Sequence, residues 1–264
     1  MSFLRDITNR QRAAMQQFSV QIIEEPEIEA ISLEDAYVHC GIDTFEEGSP
    51  PETASAFDGW LNTTGIPAAR EFCEAELEMS LAPRTLEVWA TGFPTRAAST
   101  PPGAAIPLRF GPVQEIVSVK YLDQAAADAA YQAAYDAEFL ISSDVDLATA
   151  AGDAAAAAAL EQTMDADDYT IDRTTTPAGL ILAHGASWPT ARSEVGSVKV
   201  RYVAGFSVAG ESPGAFPLPK MAKAAMLETL AHLWAHRGDD NEDLPPPVGR
   251  MLRLVPGYAR MGMA

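Results

Sequence analysis

Two hydrophobic periods alternate along this chain, and the switches between them mark its parts. In Asp168-Tyr-Thr-Ile-Asp172 the apolar Tyr169 and Ile171 alternate with polar neighbours, Leu180-Ile-Leu182 is a short apolar run, and Val198, Val200 and Tyr202 alternate with Lys199 and Arg201. These are three strands, with Gly179, Gly185, Gly196 and Gly205 between them or at their ends, where the chain must turn. Trp188-Pro189 stands mid-loop, a large ring beside a rigid neighbour, as in a loop pinned onto something. Upstream, Thr85-Leu-Glu-Val-Trp-Ala90 and residues 116–122 also alternate, and Ile106-Pro-Leu108 reads as an edge strand that tolerates its proline. The pattern over 84–206 predicts one sheet of roughly five or six strands.

The 3.6-residue period governs the rest. Ser32-Leu-Glu-Asp35 is a capping-box-like helix start, and Gly41 stops the helix after Cys40. Phe57, Trp60, Leu61, Ile66, Ala69, Phe72, Cys73 and Leu77 recur at helical spacing, with a kink or break expected at 62–65 and Pro67, and an end at Pro83. Glu71, Glu74 and Glu78 are read as its solvated side. Residues 220–237, entered after Pro217 or Pro219, form the clearest helix: Met226, Leu227, Leu230, Leu233 and Trp234 make a wide apolar face. Residues 3–18 form a weaker amphipathic helix that either packs on its own domain or reaches a neighbouring subunit. Between strands, residues 123–168 are alanine-rich, hold eleven acids and no Lys or Arg, and read as one or two surface helices.

The predicted class is therefore α+β: a core of long helices over 31–82 and 217–237, an inserted small antiparallel β-sheet over 84–206 with an acidic insert at 124–167, and an extended C-terminal tail at 244–264. Residues 1–30 form an N-terminal helical extension to the domain at 31–264.

Composition narrows the function. With 264 residues and 47% hydrophobic content the chain can bury a core, and its net charge of −19 argues against gripping nucleic acid by neutralising phosphates. DNA sliding past without sticking remains compatible. No apolar run is long enough to span a membrane, and the first residues lack the apolar stretch of a signal peptide. Cys40 and Cys73 make no framework and read as buried free thiols of a reduced compartment. Against the acidic whole, residues 244–264 hold Arg250, Arg253 and Arg260 and no acid, interleaved with Met251, Leu252, Leu254, Val255 and Tyr258. That segment either docks on something or is a solvated tail.

Chemistry is sparse. Glu228, His232 and His236 stand four apart and can share a helix face, without the His-Glu-x-x-His spacing of a metal site. Gly205-Phe-Ser-Val-Ala209 falls one residue short of a nucleophile elbow, and a loop follows it where a helix is required. There is no Walker loop, Gly-x-Gly-x-x-Gly or Cys-x-x-Cys. No catalytic, cofactor-binding or metal-ligating residue is assigned.

The order of elements resembles the head–tail connector (adaptor) proteins of tailed bacteriophages. The pieces that carry the likeness are Ile31-Ser-Leu-Glu-Asp-Ala36, Ala68-Ala-Arg-Glu-Phe72 through Thr85-Leu-Glu-Val88, Ile106-Pro-Leu108, Gly111-Pro-Val-Gln-Glu-Ile-Val117 and Val119-Lys-Tyr-Leu-Asp123. They continue with Asp168–Asp172, Gly185-Ala-Ser-Trp-Pro189, Val198 to Gly205, the helix with Leu233-Trp234 and Arg237, and Pro247-Val-Gly-Arg-Met-Leu252. The likeness implies a non-enzymatic virion protein of the neck, assembled in the host cytoplasm. Such a protein forms a twelve-subunit ring with itself beneath the portal protein, extends the DNA channel for genome packaging and ejection, and offers a platform to a downstream neck or tail protein. By the same likeness the tail grips the portal through Arg250, Leu252, Arg253, Leu254, Tyr258 and Arg260. Residues 1–30 and the insert at 124–167 depart from the pattern, so no role carries over to them. Another neck or tail-completion protein is the nearest alternative, and a serine hydrolase acting through Ser207 is the alternative from another class.

Overall fold

Ser32 opens the first helix as its sequence predicts. In the computed structural model, which describes residues 18–42, 57–94, 105–126, 128–129, 161–207, 216–236 and 246–255, α1 spans Leu33–Cys40. The Asp35 amide donates to Ser32 Oγ at 3.1 Å and the Ser32 amide donates back to the Asp35 carboxylate at 3.3 Å, a complete capping box. Gly41 ends it at φ 63°, the left-handed conformation glycine adopts without a steric cost. Lys223 then reaches the same Asp35 carboxylate at 2.8 Å.

The chain divides into two units, interleaved in sequence: a sheet unit of residues 1–22, 86–108 and 115–202, and a helical unit of residues 23–85, 109–114 and 203–264. In the helical unit, residues 57–60 are helical and run through a π turn, Leu61–Gly65, into α2, Ile66–Leu77. The expected break at 62–65 is thus a widened turn within a continuous helix. Pro67 has no N–H to give a carbonyl of the preceding turn, and the ladder widens at that place, Leu61–Gly65. Gly65 is required here by space: a Cβ would lie 2.5 Å from the Trp60 ring and 2.9 Å from Leu230. The helix ends at Leu77, with Glu78 at φ 51°, six residues before the expected stop at Pro83.

α3, Lys220–Ala235, begins after Pro219, and α4 spans Pro246–Arg253. Leu61, Ile66, Leu77, Leu81, Met226 and Leu230 are fully buried together with Val248, Leu252 and Val255, forming one core from α1, α2, α3 and α4. Two expectations are corrected. The helices are short to medium: α3 has 16 residues, and the other extended helical stretch, from residue 57 to Leu77, is interrupted by the π turn. The tail is also not extended over its described part: 246–253 is helix, because Val248, Leu252 and Val255 recur at i, i+4, i+7 and bury one stripe.

The sheet unit also departs from expectation, with two sheets rather than one. Strands β1 (Phe18–Glu24), β2 (Arg84–Ala90), β8 (Val198–Ala204), β4 (Val113–Leu122) and β5 (Glu161–Thr163) lie in the order β1-β2-β8-β4-β5; the chain passes between units within four of these strands. A second sheet, β3-β7-β6, holds Ile106–Leu108, Ala178–Leu182 and Tyr169–Asp172. Its pairs are antiparallel, with Ile106 opposite Leu180 and Tyr169 opposite Leu182; Lys120 opposite Thr163 fixes β5 on β4, also antiparallel. Pro107 sits on the edge strand β3, as expected. Alternation identifies a strand's faces but not its partner, so it could not separate the two sheets.

β1 corrects the N-terminal reading: the described part of 1–30 contains a strand rather than a helix, while residues 1–17 lie outside the described residues. The insert at 124–167 is narrower than expected, since β5 at its far end belongs to the sheet. Residues 130–160 lie outside the described residues. The pinned loop is borne out: Trp188 stacks on Phe93 at 4.8 Å and 13°, and Tyr121 meets Phe93 edge-on at 5.7 Å.

Candidate functional site

α4 carries three of the six residues expected to dock, Arg250, Leu252 and Arg253, with Leu254 directly after it, and the packing sorts them. Leu252 is 2% exposed, set in the helical core beside Val248 and Val255, so it anchors the helix rather than presenting to a partner. The opposite side carries Gly249, Arg250, Arg253 and Leu254, all exposed, with Leu254 62% open. Arg250 and Arg253 lie in the last turn, where the helix dipole favours cations, and no acid shares the helix. Tyr258 and Arg260 lie outside the described residues. What the structure brings together is therefore a short basic face with one bare leucine, clamped from behind by three apolar side chains.

The helical unit also holds a charged cluster that periodicity misplaced. Glu74, expected on the solvated side of α2, is 4% exposed. One carboxylate oxygen accepts from the Leu81 amide at 2.7 Å; the other meets Arg70 Nη1 at 3.0 Å and Arg84 Nη1 at 3.1 Å. Arg70, 3% exposed, also donates from Nε to Glu29 at 3.0 Å and approaches Glu25 at 3.5 Å. Arg84 donates to Ser80 Oγ at 3.0 Å and lies over the Phe110 ring. Burial pushes the Glu74 carboxyl above its usual range against the pull of Arg84, Arg70 and the Leu81 amide. For Arg70, burial works against the charge, but Glu74, Glu29 and Glu25 outweigh it and raise its pKa. Two guanidiniums and the amide surround the Glu74 carboxylate, so we assign it as ionised at neutral pH. With both oxygens occupied and no access to solvent, it is a structural tie between α2, the start of β2 and the segment after β1, with no proton to exchange with a substrate. One sequence signal existed: Arg70 and Glu74 stand four and eight residues after buried Ile66, on the same stripe of the helix.

The remaining candidates each meet a neighbour. Ser207 Oγ donates to the Phe216 carbonyl at 3.1 Å, and the Ser207 amide donates to the same oxygen at 2.7 Å. Residues 208–209 of the elbow-like motif lie outside the described residues. Glu228 faces His39 at 3.6 Å, while the His232 and His236 rings lie 4.3 Å apart on α3 and His236 Nδ1 meets the His232 carbonyl at 3.0 Å. Among the described residues no group of His, Cys, Asp and Glu is arranged to hold a metal. Cys73 is buried as expected, its thiol pushed up to about 11 chiefly by burial, whereas Cys40 is half-buried. Tyr37 hydrogen-bonds Asp58, and burial first and that carboxylate second push its hydroxyl up to about 12. An open groove of ≈ 480 Å³ in the helical unit is lined by Glu24, Glu25 and Glu27 with Ile28, Pro83, Arg84, Thr85 and Val203, and the Thr85 hydroxyl donates to the Glu24 carboxylate at 2.9 Å. Among the described residues no helix is long and apolar enough to cross a membrane.

No protein-family model matches the chain, and no curated protein matches its sequence. Solved structures do match. A chain from the neck of an empty gene transfer agent particle, computed with C6 symmetry, superposes with a TM-score of 0.54 at 14% identity, covering 89% of this chain and 92% of that one. A chain of the virion of the native gene transfer agent particle gives 0.53 at 15% identity, covering 88% and 92%. At these identities the likeness is one of fold, and it runs through nearly the whole of both chains. The resemblance to a neck protein read from the order of elements holds at the level of fold.

Proposed function

We propose that this chain is a structural protein of a phage-like virion, a head–tail adaptor that assembles as a ring beneath the portal. The observation that carries the reading is the fold it shares, over about nine tenths of its length, with a chain of a particle neck. That neck was computed with sixfold symmetry, which supports a rotationally symmetric assembly; the connector resemblance supplies the count of twelve copies. The ring extends the DNA channel and gives the downstream neck or tail protein its platform. A net charge of −19 suits a wall past which DNA moves, because carboxylates repel phosphates and no sequence needs to be read.

In this reading the outer side of α4 meets the portal. Arg250 and Arg253 supply charge, Leu254 supplies an apolar contact, and Tyr258 and Arg260 continue the segment. Leu252 takes part indirectly, by holding α4 in place. Each exposed ion pair contributes about 0–1 kcal/mol, so the grip comes from repetition round the ring. Deleting 245–264 would remove three core side chains as well as the contact. The cleaner test reverses charge on the exposed side, Arg250→Glu with Arg253→Glu, and measures co-sedimentation with the portal protein. Binding weakened about tenfold or more, with the fold intact by circular dichroism, is the expected result; undiminished binding overturns the docking assignment. Native mass spectrometry of the chain with portal should show a ring, and a persistent monomer would count against the adaptor reading.

A further inference from the structure

Strand β1 stands at one end of the order β1-β2-β8-β4-β5, so one of its two sides has no strand partner among the described residues. The other end of the sheet is only partly covered among the described residues. β5 is three residues long and pairs only with Lys120, Tyr121 and Leu122 of β4. The Met164 amide adds a bond to the Val119 carbonyl at 2.8 Å, and the chain then leaves the edge in a 3₁₀ turn, Ala166–Asp168. On that side, residues 115–118 of β4 have no ladder partner among the described residues.

These two edges match each other. Within the sheet unit, β1 contributes residues 18–22, Phe-Ser-Val-Gln-Ile, and β4 contributes 115–118, Glu-Ile-Val-Ser. Each carries an aliphatic side chain about half exposed, Ile22 at 49% and Val117 at 52%. The β1 stretch has no charge and the β4 stretch only Glu115, so no like charges oppose when the two are laid side by side. Exposed edges are normally blunted by lysine, proline or a bulge. The second sheet shows that device in Pro107 of β3; residues 18–22 and 115–118 contain neither lysine nor proline.

We propose that the two edges are the two halves of one contact between copies of this chain: β1 of one copy pairs alongside residues 115–118 of β4 in the next. Different edges meet, so the contact is head-to-tail and repeats from copy to copy, closing as a ring when the rotation allows. The ring closure rests on the adaptor reading; the strand pairing stands on the edges themselves.

Disulfide trapping tests it on the full chain, in a Cys40→Ser background to leave only buried Cys73. Ile22→Cys is combined in turn with Glu115→Cys and with Val117→Cys, and the concentrated protein is oxidised. Within one chain, β1 and β4 are three strand spacings apart, about 14 Å, beyond the ~7 Å limit between Cα atoms for a disulfide. Any Ile22→Cys to β4 bridge therefore joins two copies. The expected result is a ladder of dimers, trimers and larger species on a non-reducing gel with at least one double variant, and monomer with each single variant. No ladder with either double variant overturns the proposal, as does dimer formation by Ile22→Cys alone, which would show β1 pairing with β1. A chain that co-sediments with portal but yields no ladder loses only this contact; one that yields the ladder without binding portal loses only the adaptor reading.

Discussion

Among the described residues each unit contains a glutamate that serves two cations, and the two respond to their surroundings in opposite ways. In the helical unit Glu74 lies between Arg70 and Arg84 at 4% exposure, and its carboxyl is pushed up by burial. In the sheet unit Glu161 takes Lys199 at 2.9 Å and Lys120 at 3.3 Å with its side chain 24% exposed; its carboxyl is drawn down, first by the hydrogen bond from Lys199. Each carboxylate meets two cations, and Glu74 accepts the Leu81 amide as well. What differs is water: at Glu74 the loss of hydration outweighs two guanidiniums, and at Glu161 two ammonium groups outweigh a modest desolvation. The choice of cation follows the same division, since arginine's weakly hydrated planar fork tolerates burial and lysine's ammonium keeps contact with solvent.

The largest test of this contrast is Glu74→Ala. It leaves Arg70 and Arg84 buried without their shared counter-charge and the Leu81 amide without its acceptor. A loss of about 3–5 kcal/mol is expected, read as a lowered midpoint in urea; a loss under 1 kcal/mol would mean that water reaches the cluster. Glu161→Gln should cost far less, about 0–1 kcal/mol for a part-exposed pair, and the gap between the two variants measures what burial adds.

The smallest effect is in the pH profile, where the two sites have opposite signs. The folded pKa of Glu161 lies below its ordinary 4.5, so its contribution is present above that value and is lost as pH falls through the lower folded pKa. Glu74 lies above 4.5, so between 4.5 and its folded pKa the folded state holds the extra proton and gains relative stability as pH falls. Stability measured from pH 7 to 3 should therefore lose part of its acid-side decline in Glu161→Gln. An unchanged slope would show that the lysines do not hold that carboxylate.

Much of the local structure was legible because its causes are local. Ser32, Asp35 and Gly41 bracket α1 within ten residues, and the Val198–Ala204 alternation needs only the pleat of one strand. The aromatic lock at Trp188 was half legible: Trp188-Pro189 signalled a pinned loop, while the partner ring, Phe93, came from far upstream. The segment after Leu244 was legible as basic and apolar, but not in which of its sides is buried. Helical spacing of Val248, Leu252 and Val255 marked a buried stripe, and that stripe takes Leu252 out of the surface where it was expected. β1 went unread because Phe18-Ser-Val-Gln-Ile-Ile-Glu24 follows an amphipathic stretch of helical period, and only its pairing with β2 decides for strand.

By itself the sequence determined the helix caps, the strand faces, the acidic balance of −19 and the contrast of an acid-free stretch after Leu244. Those depend on neighbours a few residues apart or on simple summation. The tertiary structure alone decided that the strands form two sheets, that Glu74 is a buried tie between two arginines, and that α4 folds back into the core with Arg250, Arg253 and Leu254 left outside. The physical reason is the same in each case. Strand partners, desolvation and the choice of buried stripe are set by groups distant in sequence, and their energies exist only once those groups have met.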